Sequence, residues 1–225
     1  MPRFQWGQYG LARDGREVRE GRDVGEKRAK RGKGAKRARR ARRGRMASAI
    51  SHAVVAAAIS AAMGRPVANP RVWAVGAACA VLPDLDVLGF WFGVPYGHPL
   101  GHRGLTHSLT FAAGLAAAVA FGFRREPWRQ ARSRLFLYLF LATASHGLLD
   151  ALTHGGLGIA FFAPFDNARY LFPFRPIPAS PLDVVSFFTR DGMIILMHEI
   201  VWIWLPALVL AAAACGWRQG ARNPG

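Results

Sequence analysis

The residues most capable of chemistry in this 225-residue chain are histidines and aspartates at metal-ligand spacings. The segment 101–108 holds two imidazoles and a guanidinium, those of His102, His107 and Arg103, just before an apolar run. On one continuous helix the two imidazoles would point about 140° apart. Gly104 lies between them and loosens the backbone, so the two rings can converge on one point.

A second pair of potential metal ligands lies in a later apolar segment. His146 and Asp150 are four residues apart, which places them on one helical face about 40° apart, as the ligands of one metal ion must be. The alternative is a His–Asp hydrogen bond that joins two helices. The spacing alone does not decide between the two.

Two carboxylates follow Pro83. Asp84 and Asp86 would diverge on a helix, but an extended stretch after the proline would turn both to one side. The alternative for this pair is a turn with two solvated carboxylates. His52 completes the set, although a lone histidine among apolar residues is more often a buried hydrogen-bonding group than a ligand.

Together these residues outnumber the four ligands of one zinc ion and leave room for two ions. The candidate metal ligands are His52, Asp84, Asp86, His102, His107, His146 and Asp150. Mixed carboxylate and imidazole donors are typical of zinc, manganese or iron hydrolytic centres. A weaker set of candidates comprises His98, His154, Asp183, His198 and Glu199.

Other side chains could serve such a centre. A metal-activated water would be the nucleophile, with Asp84 or Asp86 as its base. Arg103 would hold an anionic substrate or stabilise developing charge. Thr106 and Ser108 would orient the imidazoles as hydrogen-bonding partners.

The elements that must position these residues are apolar segments. Five of them follow Met46, at 47–63, 72–92, 105–123, 135–152 and 193–216. Several approach the roughly 17–25 residues that span a bilayer, and none shows the Lys- and Glu-rich outer face of a soluble helix. The prediction is an all-α, multi-pass helical membrane bundle with four or five spans.

The N-terminal segment has a different composition. Residues 1–45 carry 17 Lys/Arg and 5 Asp/Glu with few large hydrophobic residues. Such a composition predicts a disordered basic tail, followed by a membrane-embedded domain over 46–225. The tail could bind nucleic acid or anionic lipid, could be merely solvated, or could lie ahead of a true start at Met46.

Arginines and candidate site residues fall at opposite ends of the predicted spans. If all five segments span, the arginines of the loops at 64–71 and 124–134 and of the C-terminus share one side, which the positive-inside rule makes cytoplasmic. The basic tail would then lie on the outer side, which leaves three alternatives open: a start at Met46, a segment that does not span, or an inverted topology. Every candidate ligand falls toward the other side. Nothing in hydropathy requires this separation, which favours a single site.

The motifs resemble those of the YdjM-like family of bacterial inner-membrane proteins, described as metal-dependent hydrolases. The similarity lies in His52, the Leu-Pro-Asp-Leu-Asp run at 82–86, the block at 101–108 and the Ser-His to Asp block at 145–150. It implies a multi-pass inner-membrane protein with a metal site. A distant similarity to zinc-dependent phospholipases C and single-strand nucleases favours phosphoester hydrolysis, by analogy.

The expected function is therefore a membrane-bound, metal-dependent hydrolase acting on a phosphoester of a lipid or of another membrane-associated substrate. The alternative is a non-catalytic membrane protein or a metal-ion transporter that uses the same His/Asp cluster. A transporter should carry its polar residues near mid-membrane, and these residues cluster toward one face.

Overall fold

A computed structural model describes residues 45–123, 128–178, 180–181 and 189–221. These residues belong to the compact unit Gly44–Gly225. The predicted disordered tail, apart from Arg45, and the weaker candidate Asp183 lie outside the described residues.

The described chain is mainly helical. Its α-helices are α1 (Ala49–Met63), α2 (Pro70–Val81), α3 (Leu109–Gly122), α4 (Arg132–Ala151), α5 (Arg190–Glu199) and α6 (Leu205–Gly220). Two 3₁₀ helices cover Leu82–Phe92 and Leu105–His107, and a π-helical turn, Ile200–Trp204, joins α5 to α6. The helical part of the fold-class prediction is confirmed.

Four two-residue strands tie the connecting segments together. β1 (Arg45–Met46) pairs antiparallel with β4 (Ser180–Pro181). β2 (Thr153–His154) pairs in parallel with β3 (Ile177–Pro178). The pairing fixes the chain just before α1, which carries His52, and just after α4, which carries His146 and Asp150.

Polar caps define where the helices begin. Ser48, Asn69 and Ser108 each accept a hydrogen bond from a backbone N–H of the first turn of α1, α2 and α3 respectively. This satisfies donors that have no partner within the helix. The prediction that Ser108 orients an imidazole is therefore wrong, because its hydroxyl caps α3 through the N–H of Phe111.

Small residues let the helices approach closely. Gly76 of α2 lies against the Tyr138 ring of α4, where an added Cβ would be 2.0 Å from the phenol oxygen. The buried core around this contact is rich in alanine, including Ala56, Ala80, Ala116, Ala120 and Ala142. Such interfaces are typical of helix packing in membranes, where close backbone contact replaces the hydrophobic effect.

Arginines near the ends of several helices meet at one end of the bundle. A guanidinium N–H of Arg134, at the start of α4, donates to the carbonyl of Arg65 in the turn after α1, at 3.3 Å. At the end of α6, Arg218 donates to the carbonyl of Ala61 at 2.8 Å. These contacts bring the end of α1, the start of α4 and the end of α6 together, as the arginine distribution predicted.

Two helical elements among the described residues are long and apolar enough to cross a membrane. They are Pro70–Phe92, which joins α2 to the 3₁₀ helix, and Gly192–Gly220. The apolar helices α1 and α3 have 15 and 14 residues. At about 1.5 Å per residue, each falls short of a hydrocarbon core of about 30 Å. The structure thus supports two spans, and the total of four or five stays a prediction.

The contact between Gly76 and Tyr138 leads to a stability prediction. Gly76→Ala should lower the apparent melting temperature of the detergent-solubilised protein, because overpacking costs about 1–3 kcal/mol. Gly114→Ala is the matched control, since an added Cβ on that helical glycine meets nothing within 4 Å. The control should be neutral or slightly stabilising. Equal melting temperatures for the two variants would contradict the close packing of α2 on α4.

Candidate metal centre

Two imidazoles face each other at the heart of the site. Nε2 of His107 lies 3.0 Å from Nε2 of His146. The other nitrogen of each ring has an acceptor, since His146 Nδ1 lies 2.7 Å from the carbonyl of Ala80 and His107 Nδ1 lies 3.2 Å from Asp86 Oδ2. With both Nδ1 atoms donating, both Nε2 atoms present lone pairs. A proton or a cation must lie between them.

Two carboxylates complete a set of four donors. Asp84 Oδ1 lies 3.2 Å from His146 Nε2 and 3.8 Å from His107 Nε2. Asp150 Oδ2 lies 3.7 Å from His107 Nε2 and 4.0 Å from His146 Nε2. A tetrahedral zinc site with bonds of about 2.0 Å has ligand-to-ligand distances of about 3.3 Å. The four atoms are therefore spaced as the ligands of one small ion.

The two aspartates after Pro83 reach the site by a different route from the predicted one. The segment Leu82–Phe92 is a 3₁₀ helix, so the predicted extended stretch is wrong. Three residues per turn make Asp84 and Asp86 point in different directions. His107 lies between them, with Nε2 toward Asp84 and Nδ1 toward Asp86.

Asp86 holds the imidazoles in place. Its Oδ1 lies 2.6 Å from His102 Nδ1, and its Oδ2 accepts from the Thr106 hydroxyl at 2.6 Å. Asp86, His102 and His107 also form a second group of donors close enough to hold an ion. A neutral imidazole has one lone pair, so His107 cannot serve both groups at once. The carboxylate–histidine contact is typical of a group that orients a metal ligand.

Arg103 is buried beside Asp150. Its Nε lies 3.2 Å from Asp150 Oδ2. Nη1 donates to the Gly155 carbonyl at 2.9 Å, and Nη2 donates to the Thr153 hydroxyl at 3.0 Å. The side chain is fully buried. In this arrangement the guanidinium positions Asp150, and its predicted contact with substrate stays a prediction.

The loop after α4 leaves room for this guanidinium. Gly156 has a φ of +75°, and an added Cβ would lie 2.7 Å from Arg103 Nη1 and 2.6 Å from the Tyr96 hydroxyl. Burial raises the pKa of Tyr96, so its hydroxyl stays protonated at neutral pH. Gly104 is equally constrained, because a Cβ there would be 2.1 Å from the Pro99 carbonyl.

His52 lies at the edge of the four donors. Its ring stacks on that of His146 with centroids 3.9 Å apart, and its Nε2 is 3.9 Å from Asp150 Oδ1. The ring is fully buried, and neither nitrogen has a hydrogen-bond partner among the described residues. The structure thus brings all seven candidate ligands into one cluster, with His52, Asp86 and His102 outside the four-donor set.

The buried charges around the site do not cancel. The three carboxylates of Asp84, Asp86 and Asp150 face a single buried guanidinium, that of Arg103. With neutral imidazoles the cluster carries a charge of −2. Burying such a charge is costly, and one divalent cation would neutralise it.

The weaker candidates within the described chain lie elsewhere. His98, His154 and His198 each use Nδ1 in a local backbone contact, with Leu100 N, Ile177 O and Ile194 O respectively. Glu199 is fully buried and accepts from the backbone N–H and hydroxyl of Ser48 and from the Ser51 hydroxyl. These hydrogen bonds join the end of α5 to the start of α1.

Sequence reasoning missed several supporting groups. The backbone N–H of Ala47 donates to Asp150 Oδ1 at 2.9 Å, and the Ala80 carbonyl faces His146. Arg169 donates to the carbonyl of His102 at 3.0 Å and fixes the loop that precedes the site. The backbone groups leave no trace in a sequence. Arg169 is one of three arginines in the segment 153–192, with Arg175 and Arg190, so its type alone did not mark it.

The contact between Gly156 and Arg103 gives a prediction for the site. Gly156→Ala should displace the guanidinium from Asp150 and lower both the metal content and the melting temperature of the purified protein. Gly93→Ala is the matched control, because Gly93 has a φ of +76° with nothing within 4 Å of an added Cβ. Both variants carry the backbone strain of about 1–2 kcal/mol, but only one crowds Arg103. Equal losses would show that strain alone is responsible.

Comparisons with known proteins agree with this architecture. The family model of the YdjM inner membrane protein matches residues 46–222. The chain is 39% identical over 165 residues to the inner membrane protein YbcI of Escherichia coli (strain K12), an alignment that covers 73% of this chain and 95% of that protein. No solved structure matches the chain. The chain therefore belongs to the YdjM inner membrane protein family and is itself an inner membrane protein.

Proposed function

We propose that the protein is a metal-dependent hydrolase of the inner membrane that cleaves phosphoester bonds in a lipid or another membrane-associated substrate. The observation that carries the proposal is the pair of Nε2 atoms of His107 and His146, 3.0 Å apart with both Nδ1 atoms engaged. A buried charge of −2 around that pair supports a divalent ion over a single proton.

Asp84, His107, His146 and Asp150 would hold the ion. Two imidazoles and two carboxylates are borderline-hard donors that suit zinc first, then manganese or iron. Bound there, the ion would supply Lewis acidity and activate water. The resemblance to metal-dependent hydrolases supports this chemistry by analogy.

The neighbouring side chains would divide the remaining work. The Asp84 side chain is 11% exposed, whereas those of His107, His146 and Asp150 are fully buried, so a reactant would approach from the Asp84 side. Asp84 is therefore the better placed of the two proposed bases. A carboxylate bound to the ion cannot also act as its base, so in that role Asp84 would leave its coordination position to the water. Asp86 orients His107, and Arg103 holds Asp150 and adds a positive charge beside the reacting group.

A membrane-associated substrate is favoured by the other face of the same 3₁₀ helix. Leu85, Leu88 and Trp91 are exposed and recur every third residue, so they form one apolar stripe. Asp84 is adjacent to that stripe in a helix long and apolar enough to cross a membrane. A lipid moving along the stripe would bring its headgroup to the carboxylate.

The first test is metal content. Full-length protein purified in detergent should retain close to one divalent ion per chain by plasma mass spectrometry. His146→Ala and Asp150→Ala should lose most of it, because each removes one of four donors. His198→Ala is the control, since that ring is hydrogen-bonded to the Ile194 carbonyl of its own helix and is not among the clustered donors. Wild-type protein that binds no divalent ion even after reconstitution with metal would contradict the proposal.

The second test is the reaction itself. The loaded wild type should hydrolyse phosphodiesters or phosphomonoesters presented in mixed micelles, and the ligand variants should be inactive. Metal binding without hydrolysis, together with ion movement across proteoliposome membranes, would favour the transporter. Access of labelling reagents to Asp84→Cys from both sides of the membrane would point the same way.

The role of Asp86 can be separated from that of a ligand. Asp86→Asn should leave metal stoichiometry intact under saturation but weaken metal affinity by about 10–100-fold, as loss of an orienting carboxylate does. Asp166→Asn is the control, because that carboxylate lies in an exposed loop and accepts from Tyr170. Unchanged affinity in Asp86→Asn would rule out the orienting role.

A further inference from the structure

A second charged feature lies at the opposite end of the bundle from the metal centre. A cavity of about 320 Å³ opens between the end of α1 and the end of α6. Arg65 and Arg218 line it together with Gln219, Cys215, Gly64 and alanines, and no acidic residue is among its lining. The cavity is thus positively charged and large enough for a small polar group.

Arg218 is held rigidly at the cavity wall. Its Nη2 donates to the Ala61 carbonyl at 2.8 Å and contacts the Cys215 sulfur at 3.1 Å. The Arg218 side chain also lies against Gly64, where an added Cβ would be 3.0 Å from Nε. A guanidinium has five N–H donors, so fixing Nη2 leaves others for a ligand.

Arg65 supplies the second charge. Its side chain is exposed and makes no hydrogen bond or ion pair with any residue in the described part of the chain. Arg134 donates to the Arg65 carbonyl and adds a third guanidinium nearby. The two arginines that line the cavity match the oxygens of a phosphate.

The residues around the cavity favour a lipid headgroup, and not a soluble anion, as its ligand. Trp217, next to Arg218, is 79% exposed, and aromatic side chains of this kind anchor at the headgroup level of a membrane. The arginine excess at this end is typical of the cytoplasmic side. Basic pockets between membrane helices on that side bind anionic headgroups.

We propose that the cavity between α1 and α6 binds the phosphate headgroup of an anionic phospholipid of the cytoplasmic leaflet, through Arg65 and Arg218. The site is independent of the metal centre, because the two share no residue. It would anchor the ends of α1 and α6 to the membrane.

Native mass spectrometry of the full chain in detergent tests the proposal. Wild type should retain phosphatidylglycerol in preference to phosphatidylcholine, and Arg65→Gln should reduce that retention about fivefold, the contribution of one arginine at an anionic surface. Arg218→Gln should reduce it at least as much. Arg190→Gln, an exposed arginine at the start of α5, is the control and should retain the lipid fully.

Arg218→Gln could also weaken the end of α1, and Arg65→Gln avoids this because that side chain bonds to nothing in the described chain. Equal retention in Arg65→Gln and wild type would overturn the proposal, as would an equal loss in Arg190→Gln. Inorganic phosphate provides the last arm. If wild type binds it as well as it binds phosphatidylglycerol, the ligand is a free anion and the lipid assignment is wrong.

Discussion

The structure depends on one electrostatic constraint, the repulsion between two imidazole lone pairs inside a cluster of carboxylates. His107 and His146 come from different helical elements, and their Nε2 atoms lie 3.0 Å apart. Each ring is fixed by an acceptor on its far side, so neither can rotate away without leaving a buried N–H unpaired. A positive charge between the rings, a proton or a cation, would satisfy both lone pairs.

The rest of the fold can be understood as the scaffold for that charge. Asp150 receives the N–H of Ala47 and the guanidinium of Arg103, and Glu199 receives the N–H of Ser48. The start of α1 is thus tied to two buried carboxylates, one from α4 and one from α5. At the opposite ends of the helices, arginines meet carbonyls. The polarity of the bundle separates a negatively charged site from an arginine-rich end.

The sequence allowed the helical class and the membership of the site to be predicted, because histidine and aspartate are conspicuous in apolar segments. His146 and Asp150 share a face as their spacing requires, and Gly104 permits the tight loop that brings His102 near His107. The contact made by each ligand atom could not be predicted from the sequence. It depends on the 3₁₀ geometry of Leu82–Phe92 and on backbone groups such as the Ala80 carbonyl, which are set by tertiary packing. The number of membrane spans could not be determined from hydropathy either, because α1 and α3 are apolar but short.

X-ray absorption at the zinc edge of the zinc-loaded, full-length protein would test the central claim most directly. The expected result is a shell of nitrogen and oxygen donors at about 2.0 Å from the zinc, with the multiple-scattering signature of two imidazoles. His107→Ala should reduce that signature to one imidazole. A sulfur shell at about 2.3 Å, or a zinc site without imidazole, would contradict the account, because the donor set around His107 and His146 contains no cysteine.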